Sequence, residues 1–291
     1  MPARHPTSSS STARAHYRID GDDSSGKPAL VLLHGTGSSL HTWDGWVPWL
    51  SHDLRVIRVD LPAFGLTGAS ASGEYRIADY LRFIDAFTRR LGLERFHLAG
   101  NSLGGRIAWN YALAAPERVE RLVLIAASGY PDTSGPSSSL GFRLAQMPVL
   151  RSVLPYLTPR ALVARDLRDA YGDPQRLSEA TIDRYYQLLL RAGNRDALVE
   201  RLKDATRDVD GDPGDITQPT LILWGAEDRW IPLADARGFT ADIPDARLIV
   251  YPGVGHLPME ELPGPTARAA LVFLTGDDSG EAAAEAPRNR R

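Results

Sequence analysis

Six short runs of Val, Ile and Leu, separated by stretches with helical periodicity, constrain the fold of this chain most strongly. The runs lie at 29–35, 55–61, 96–102, 121–128, 219–225 and 246–253. Continuous apolarity is typical of strands buried on both faces of a parallel sheet, and Gly, Pro or Asp closes nearly every run. Segments 77–93 and 104–119 carry apolar residues three and four positions apart, as helices do. This alternation predicts a mostly parallel, doubly wound α/β sheet.

The alternation stops between residues 131 and 215, a region that contains helical patterns but no run typical of a strand. Four such patterns lie at 140–156, 159–171, 178–192 and 195–206. Because strands of the same character resume at Thr220, we expect a helical cap inserted into the sheet domain. An independent second domain is the alternative.

The predicted core therefore comprises residues 15–130 and 216–273, and the predicted cap comprises residues 131–215. The tails, 1–14 and 274–291, lack periodic apolar residues, which predicts disorder. Over the 291 residues, 43% are hydrophobic and 24% are charged, the balance of a globular protein. No apolar run approaches the roughly 20 residues that cross a bilayer, so we expect no membrane span.

Charge and residue usage exclude several classes of function. The formal net charge is −3 and the arginines alternate with acids, so nucleic-acid binding is not expected. The absence of Cys excludes disulfides, thiolate catalysis and Cys-ligated metals. No cluster of His and carboxylates has the spacing of metal ligands, and no phosphate-binding loop occurs. These features favour chemistry on a small molecule without a cofactor or metal.

The sequence GNSLGG, residues 100–105, joins the third apolar run directly to a helical segment. Gly-x-Ser-x-Gly at such a junction is typical of a nucleophile elbow, in which the serine is held in a strained turn with its Oγ clear of the strand end. The following helix directs unpaired N–H groups and its positive dipole end towards any anion formed there. A plain glycine-rich turn is the alternative, but the position between strand and helix favours Ser102 as a nucleophile.

A serine nucleophile needs a general base, usually a histidine, whose tautomer is fixed by a carboxylate. His256 directly follows the last predicted strand, so we expect it in a loop at the carboxyl edge of the sheet. Asp228 follows the preceding strand at the same edge. We therefore predict a triad of Ser102, His256 and Asp228. Glu227 and Asp132 are the alternative acids.

Acyl transfer also requires N–H donors for the oxyanion of the tetrahedral intermediate. The backbone N–H of Leu103, at the helix start, is one candidate. That of Thr36, in the sequence HGTGSS after the first parallel strand, is the other. His34 precedes this loop, and we interpret it as a packed residue that shapes the loop, with a catalytic or metal-binding role as the alternative.

Five motifs occur in the order found in one superfamily, namely LLHGTGSS, DLPAFGLTG, GNSLGG, LILWGAEDRWIP and GHLPMEE. Through them, residues 28–272 resemble the α/β-hydrolase superfamily, in which the chain order is also Ser, acid, His. The resemblance implies an α/β-hydrolase fold with a triad of Ser102, Asp228 and His256. A serine at this position separates the chain from the epoxide hydrolases and haloalkane dehalogenases, which resemble it elsewhere but use an aspartate nucleophile.

The resemblance leaves the reaction open. Ester hydrolysis through an acyl-enzyme is the leading interpretation. The second is carbon–carbon bond cleavage, because GNS with a further glycine at 105 is similar to the elbow of meta-cleavage product hydrolases. Leu257, however, stands where that branch usually has tryptophan. A perhydrolase side activity and a non-catalytic binding protein of the same fold are further alternatives.

The predicted substrate is a small molecule with an apolar portion, and Asn101 and Trp230 are candidates for binding it. Apolar and aromatic cap residues are candidates for pocket lining, although such residues more often pack helices; they are Phe142, Met147, Leu150, Leu154 and Tyr156.

This sequence departs from the family pattern in three places. Ala63 replaces a usual glycine in DLPAFG, and a single strand-like segment, 15–20, stands where a hairpin is usual. Relatives with HGTGSS often have an apolar N-terminal anchor, so membrane association is expected only for a longer native N-terminus, and a cytoplasmic location otherwise.

Overall fold

The computed structural model describes residues 14–21, 26–130, 147, 156–208 and 210–276. Seven strands in this part of the chain form one sheet in the order β1-β3-β2-β4-β5-β6-β7. The strands are β1 (Tyr17–Asp20), β2 (Ala29–Leu33), β3 (Arg55–Val59), β4 (Phe96–Asn101), β5 (Val119–Ile125), β6 (Thr220–Gly225) and β7 (Ala246–Tyr251). Strands β2 to β7 are parallel, which confirms the predicted sheet.

The one antiparallel strand described is β1, which pairs with β3 at the edge of the sheet. It corresponds to the strand-like segment at 15–20. A row of four residue pairs, from Tyr17 opposite Val59 to Asp20 opposite Val56, holds it in place. Arg58 of β3 also forms an ion pair with Asp20, at 2.7 Å.

Helices cover both faces of the sheet. They are α1 (Val47–Leu50), α2 (Ile77–Arg90), α3 (Leu103–Ala114), α4 (Arg160–Ala170), α5 (Glu179–Leu190), α6 (Asn194–Asp204), α7 (Leu233–Asp242), α8 (Pro258–Glu261) and α9 (Pro263–Thr275). Short 3-10 turns occur at Leu40–Trp43, Pro174–Arg176, Ala205–Arg207 and Pro213–Asp215. None of the described helices is long and apolar enough to cross a membrane.

The apolar runs form a core on each face because successive side chains of a strand point to opposite sides. Val31 and Leu33 of β2 pack in one cluster with residues of α2 and α3. Leu30 and Leu32 of the same strand pack in the other cluster, with Trp43 and residues of α9. These four of the five residues of β2 are fully buried. Burial on both faces is what continuous apolarity in a strand predicts.

Helices α4, α5 and α6 lie in the sequence between β5 and β6 and match three of the four predicted helical patterns. The fourth pattern, 140–156, lies almost wholly outside the described residues, as do Phe142, Leu150 and Leu154. Met147 and Tyr156 are described, and both are exposed. Helices α4 and α5 pack together through a small apolar cluster of Ala164, Leu167 and Ile182.

Candidate active site

Ser102 lies between the end of β4 and the first residue of α3, in a conformation that few residues adopt. Its φ is 54° and its ψ is −117°. Positive φ is unfavourable for a residue with a Cβ, so the surrounding structure must impose it. The Ser102 N–H donates to the Ile125 carbonyl, at 3.0 Å, and the Ser102 carbonyl accepts from the N–H groups of Arg106 and Ser128. The segment has the geometry expected of a nucleophile elbow.

The glycines around Ser102 are required because the backbone segments approach too closely for a side chain. A Cβ on Gly100 would lie 2.2 Å from the Gly104 carbonyl oxygen. A Cβ on Gly104 would lie 2.2 Å from the Leu33 carbonyl oxygen. The first turn of α3 therefore packs directly against the backbone of β2 and β4. This packing brings the first N–H groups of α3 to the carboxyl edge of the sheet.

His256 and Asp228 meet at this edge, from the loops after β7 and β6. His256 Nδ1 and Asp228 Oδ2 are 2.8 Å apart, and the Asp228 side chain is fully buried. The other Asp228 oxygen, Oδ1, accepts from the N–H groups of Trp230 and Ile231, at 2.8 and 3.0 Å. These bonds hold the carboxylate in one orientation. Glu227, the alternative acid, is exposed, and Asp132 lies outside the described residues.

Ser102 and His256 line the same pocket. In the described part of the chain, the side chains of Ser102 and His256 are not hydrogen-bonded to each other. Catalytic hydrogen bonds in structures without a ligand are often long and tighten only when substrate binds. Ser102 and His256 therefore share one pocket, and Nδ1 of the histidine is already held by Asp228.

Asn101, a candidate for substrate binding, uses its amide N–H groups to join the end of β5 to the His256 loop, while its buried Oδ1 has no hydrogen-bond partner among the described residues. The fully buried Asn101 Nδ2 donates to the carbonyls of Ile125 and His256, each at 3.1 Å. The loop after β2 passes close to this amide, since a Cβ added to Gly35 would lie 3.0 Å from Asn101 Oδ1. Asn101 lines the pocket, but both its N–H donors are directed at backbone. Its contacts indicate that it positions the His256 loop relative to the nucleophile.

The loop that follows β2 carries Thr36, which lines the pocket. His34, fully buried at its base, accepts from the Leu61 N–H through Nε2, and its Nδ1 lies 2.8 Å from the Gly35 carbonyl oxygen. One nitrogen therefore accepts and the other donates, the pattern of a neutral imidazole. Burial lowers the pKa of His34. These contacts agree with the interpretation that His34 shapes the loop.

The pocket has mostly apolar walls from the inserted helices, including Leu162, Val163, Leu167, Leu189, Leu198 and Val199. Two acidic or basic residues, Asp166 and Arg195, also line its described part. Trp230, the other candidate for substrate binding, lies in the wall, and its ring centroid is 5.0 Å from that of His256. Trp230 Nε1 donates to Asp169 of α4 at 3.2 Å, so this ring joins the insertion to the loop of Asp228.

Glu261 holds the His256 loop through hydrogen bonds to backbone N–H groups. The sequence analysis did not identify this residue. Glu261 accepts from the N–H groups of Gly255, Gly172 and Asp173, at 2.7, 3.0 and 3.2 Å. Burial raises the pKa of the Glu261 carboxyl, although these N–H groups oppose the rise. The His256 N–H donates to the Ala170 carbonyl at 2.6 Å. The end of α4 and the His256 loop are thus fixed to one another.

A second group of polar residues that the sequence analysis missed surrounds Glu260. We call Ser38, Thr42, Tyr171, Tyr185 and Glu260 the Glu260 cluster. Tyr171 and Tyr185 lie in the segment between β5 and β6, whereas Ser38, Thr42 and Glu260 lie outside it. Glu260 stood in the motif GHLPMEE, but no local pattern connects it with a tyrosine 75 residues away.

The family to which the chain belongs follows from a sequence comparison. The family model for the alpha/beta hydrolase fold matches residues 28–263. The chain therefore belongs to the alpha/beta hydrolase fold family. Among curated proteins, the 2-hydroxy-6-oxo-2,4-heptadienoate hydrolase of Pseudomonas putida is 30% identical over 270 residues, which cover 88% of this chain and 92% of that protein.

Solved structures give the same fold. A meta-cleavage product hydrolase from Pseudomonas fluorescens IP01 is similar with a TM-score of 0.78 and 24% identity, over 91% of this chain and 95% of that one. A membrane phospholipase A, described as a bacterial virulence factor, is similar with a TM-score of 0.77 and 26% identity, over 91% and 84%. Fold, family and relatives agree that the chain is a hydrolase.

Proposed function

We propose that Ser102 is the nucleophile of a serine hydrolase, with His256 as general base and Asp228 as the residue that orients it. Three observations support the triad. Ser102 occupies a strained turn between strand and helix, His256 Nδ1 lies 2.8 Å from Asp228, and both Ser102 and His256 line one pocket. In the proposed reaction Ser102 Oγ attacks a carbonyl carbon while His256 takes its proton.

The proposed oxyanion donors are the backbone N–H groups of Thr36 and Leu103. Leu103 is the first residue of α3, so its N–H has no acceptor within the helix. Thr36 lines the same pocket as Ser102, in the loop after β2. Donors placed in this way stabilise the tetrahedral intermediate without reorganising during the reaction.

We propose carbon–carbon bond cleavage of a meta-cleavage type dienoate as the reaction. The observation that carries this choice is the likeness, at 30% identity over most of both chains, to a hydrolase of 2-hydroxy-6-oxo-2,4-heptadienoate. In such a substrate the attacked carbon is a ketone. The broken bond leaves its electron pair on the dienoate fragment, which takes up a proton, and water releases the other fragment as a carboxylic acid.

The pocket offers a feature that suits this substrate. Arg195 of α6 lines the pocket among apolar residues, and a dienoate carries a carboxylate that a guanidinium group binds well. The Asp166 carboxylate shares the pocket, so the bound substrate would have to lie on the Arg195 side.

Ester hydrolysis is the second candidate. The pocket walls are mainly aliphatic, Leu257 follows the histidine, and the fold is similar to that of a phospholipase A at 26% identity. An aliphatic acyl chain requires only such walls and the triad. The two reactions share the nucleophile and differ in what the pocket must recognise.

The test compares 2-hydroxy-6-oxo-2,4-heptadienoate with p-nitrophenyl butanoate as substrates of the wild type. We expect kcat/KM to be at least about tenfold higher for the dienoate. Ser102→Ala, checked for correct folding, should lower both activities by at least about a hundredfold. Turnover of the ester without turnover of the dienoate would replace the first proposal by the second. If the wild type turns over neither substrate, the result would favour the alternative that the chain is a non-catalytic binding protein of this fold.

Two arginine variants separate carboxylate recognition from general damage. Arg195→Leu should raise KM for the dienoate about tenfold or more and leave KM for the neutral ester nearly unchanged. Arg165→Leu is the matched control, since Arg165 is exposed on α4 and lies outside the pocket. An equal effect of Arg195→Leu on both substrates would remove Arg195 as the carboxylate ligand.

A further inference from the structure

Ser38 lines the pocket together with Ser102, yet the triad and the oxyanion donors do not use its hydroxyl. The side chain is 7% exposed. Ser38 Oγ donates to the Tyr185 hydroxyl at 3.0 Å, and the Tyr185 hydroxyl donates to Glu260 Oε1 at 2.5 Å. A line of hydrogen bonds therefore runs from the pocket to a carboxylate behind it.

The surroundings of Glu260 fix the direction of this line. The same oxygen accepts from Thr42 Oγ1 at 2.5 Å, and Oε2 accepts from the Tyr171 hydroxyl at 2.7 Å. Three hydroxyl groups thus donate to the oxygens of one carboxyl group. The carboxylate end of the line is therefore the acceptor end.

Tyr185 transmits this direction to Ser38. A phenol has a single proton, and here it is committed to Glu260. Burial, and next the charge of Glu260, raise the pKa of Tyr185, so the phenol keeps its proton. The Tyr185 oxygen can then only accept from Ser38. Ser38 in turn has given its one proton away, and only its lone pairs are left to face the pocket.

We propose that Tyr185 and Glu260 hold the Ser38 hydroxyl as a hydrogen-bond acceptor in the pocket, so that the site selects substrates with a hydroxyl or N–H donor against the loop of residues 35–38. The inference rests on the proposed function, because it takes Ser102 as the point where the substrate is anchored. Ser38 is then a specificity-determining residue, and Tyr185 and Glu260 act through it as positioning residues.

Arylboronic acids test this without knowledge of the natural substrate. Boron accepts a lone pair from Ser102 Oγ, whose proton passes to His256, and the aryl ring remains in the pocket. The probes are phenylboronic acids with a hydroxyl or a methoxy group at the meta or para position, which differ in whether the substituent can donate. Binding is measured as protection of Ser102 from labelling by a fluorophosphonate.

In the wild type we expect the hydroxyl compound to bind about tenfold more tightly than the methoxy compound at one of the two ring positions, as for one well-placed hydrogen bond. Ser38→Ala should abolish this preference. Tyr185→Phe should abolish or reverse it, because Ser38 regains its proton for donation into the pocket. The variant Ser38→Ala is sufficient by itself if Tyr185→Phe does not fold.

Two conservative controls accompany these variants. Tyr186→Phe removes the same atom one position along α5, outside the pocket, and should keep the preference. Tyr171→Phe removes a donor to Glu260 but not the acceptor of the Ser38 proton, and should also keep it. Equal binding of the hydroxyl and methoxy compounds in the wild type, or a preference that survives Ser38→Ala, would overturn the inference. Failure of the fluorophosphonate to label Ser102 would instead overturn the proposed function, and this inference with it.

Discussion

At the scale of single residues, Ala63 adopts a backbone conformation that favours glycine. Its φ is 83°, it is fully buried, and its N–H donates to the Gly68 carbonyl at 2.8 Å. The left-handed region costs a residue with a Cβ about 1–2 kcal/mol. The glycine of the family pattern to which DLPAFG was compared would adopt this conformation without strain.

We expect Ala63→Gly to raise the free energy of unfolding by about 1 kcal/mol, because glycine adopts positive φ without strain. The melting temperature, measured by calorimetry, should rise by about 2 °C. Ala86→Gly is the matched control. Ala86 is exposed within α2, where the same exchange should destabilise by roughly 1 kcal/mol. A loss of stability in Ala63→Gly would show that the turn tolerates its alanine.

The role of Asn101 also belongs to this scale. Its two N–H donors hold the carbonyls of Ile125 and His256, so Asn101→Ala should displace the histidine rather than the substrate. We expect kcat to fall by roughly 10- to 100-fold with little change in KM, since small misplacements of catalytic groups have effects of this size. Asn101→Asp should be worse, because carboxylate oxygens would face two carbonyl oxygens.

Steady-state kinetics on the substrate that the wild type turns over measure this prediction. Asn110→Ala is the control, since Asn110 bonds to Asp210 and the Gly211 N–H, away from the pocket, and should leave kcat unchanged. A higher KM at unchanged kcat in Asn101→Ala would restore Asn101 to the substrate-binding role suggested by the sequence.

At the scale of elements, the segment after α6 is fixed to the sheet domain by Asp208. The side chain is fully buried and pairs with Arg201 at 2.8 Å and with Arg106 of α3 at 3.4 Å. Its Oδ1 accepts from the Ile77 N–H, at the start of α2, at 2.8 Å. One carboxylate thus joins the insertion to two helices of the core.

Asp208→Ala should lower the free energy of unfolding by about 3 kcal/mol, because the buried Arg201 loses its carboxylate partner, although Arg106 keeps its ion pair with Asp210. Chemical denaturation measures the change. Glu200→Ala removes an acid from the same stretch, but the ion pair of Glu200 with Lys203 is largely exposed, and this control should have little effect. Similar losses in the two variants would show that Asp208 does not fix the insertion.

The elements also show what the sequence could and could not predict. The parallel strands and the elbow were predictable because their signals are local, namely continuous apolar runs and glycines around one serine. Asp208, Glu261 and the Glu260 cluster were not, because each depends on residues brought together from distant parts of the chain. Tyr185 meets Glu260 across 75 residues, and no periodicity records such a contact. The order of strands in the sheet is likewise set by tertiary packing.

At the scale of the whole molecule, two buried histidines couple stability to pH. Burial lowers the pKa of His34 and of His97, against the opposing charges of Asp60 and Glu120 respectively. Unfolded histidines take up protons near pH 6.5. Below that pH the unfolded chain therefore binds more protons than the folded one, and the stability that these residues contribute above pH 6.5 is lost as the pH falls. Protonation of His34 would also remove the acceptor of the Leu61 N–H.

We expect the free energy of unfolding to fall as the pH is lowered from 7 to 5.5, because burial makes both histidines bind protons less readily in the fold than in the unfolded chain. The raised pKa of Glu261 has the opposite effect on stability. At pH values above the ordinary pKa of a glutamate, the folded protein keeps this proton longer than the unfolded chain does, so stability falls as the pH rises. His97→Leu should therefore flatten the pH dependence, since it removes one of the two buried histidines, whereas His52→Gln, at a side chain 90% exposed, should leave it unchanged. Denaturation curves of the wild type and both variants at four pH values measure this pH dependence. An unchanged slope in His97→Leu would mean that His97 does not contribute to the acid sensitivity of the fold, because a buried histidine contributes to the slope only while its ring is present.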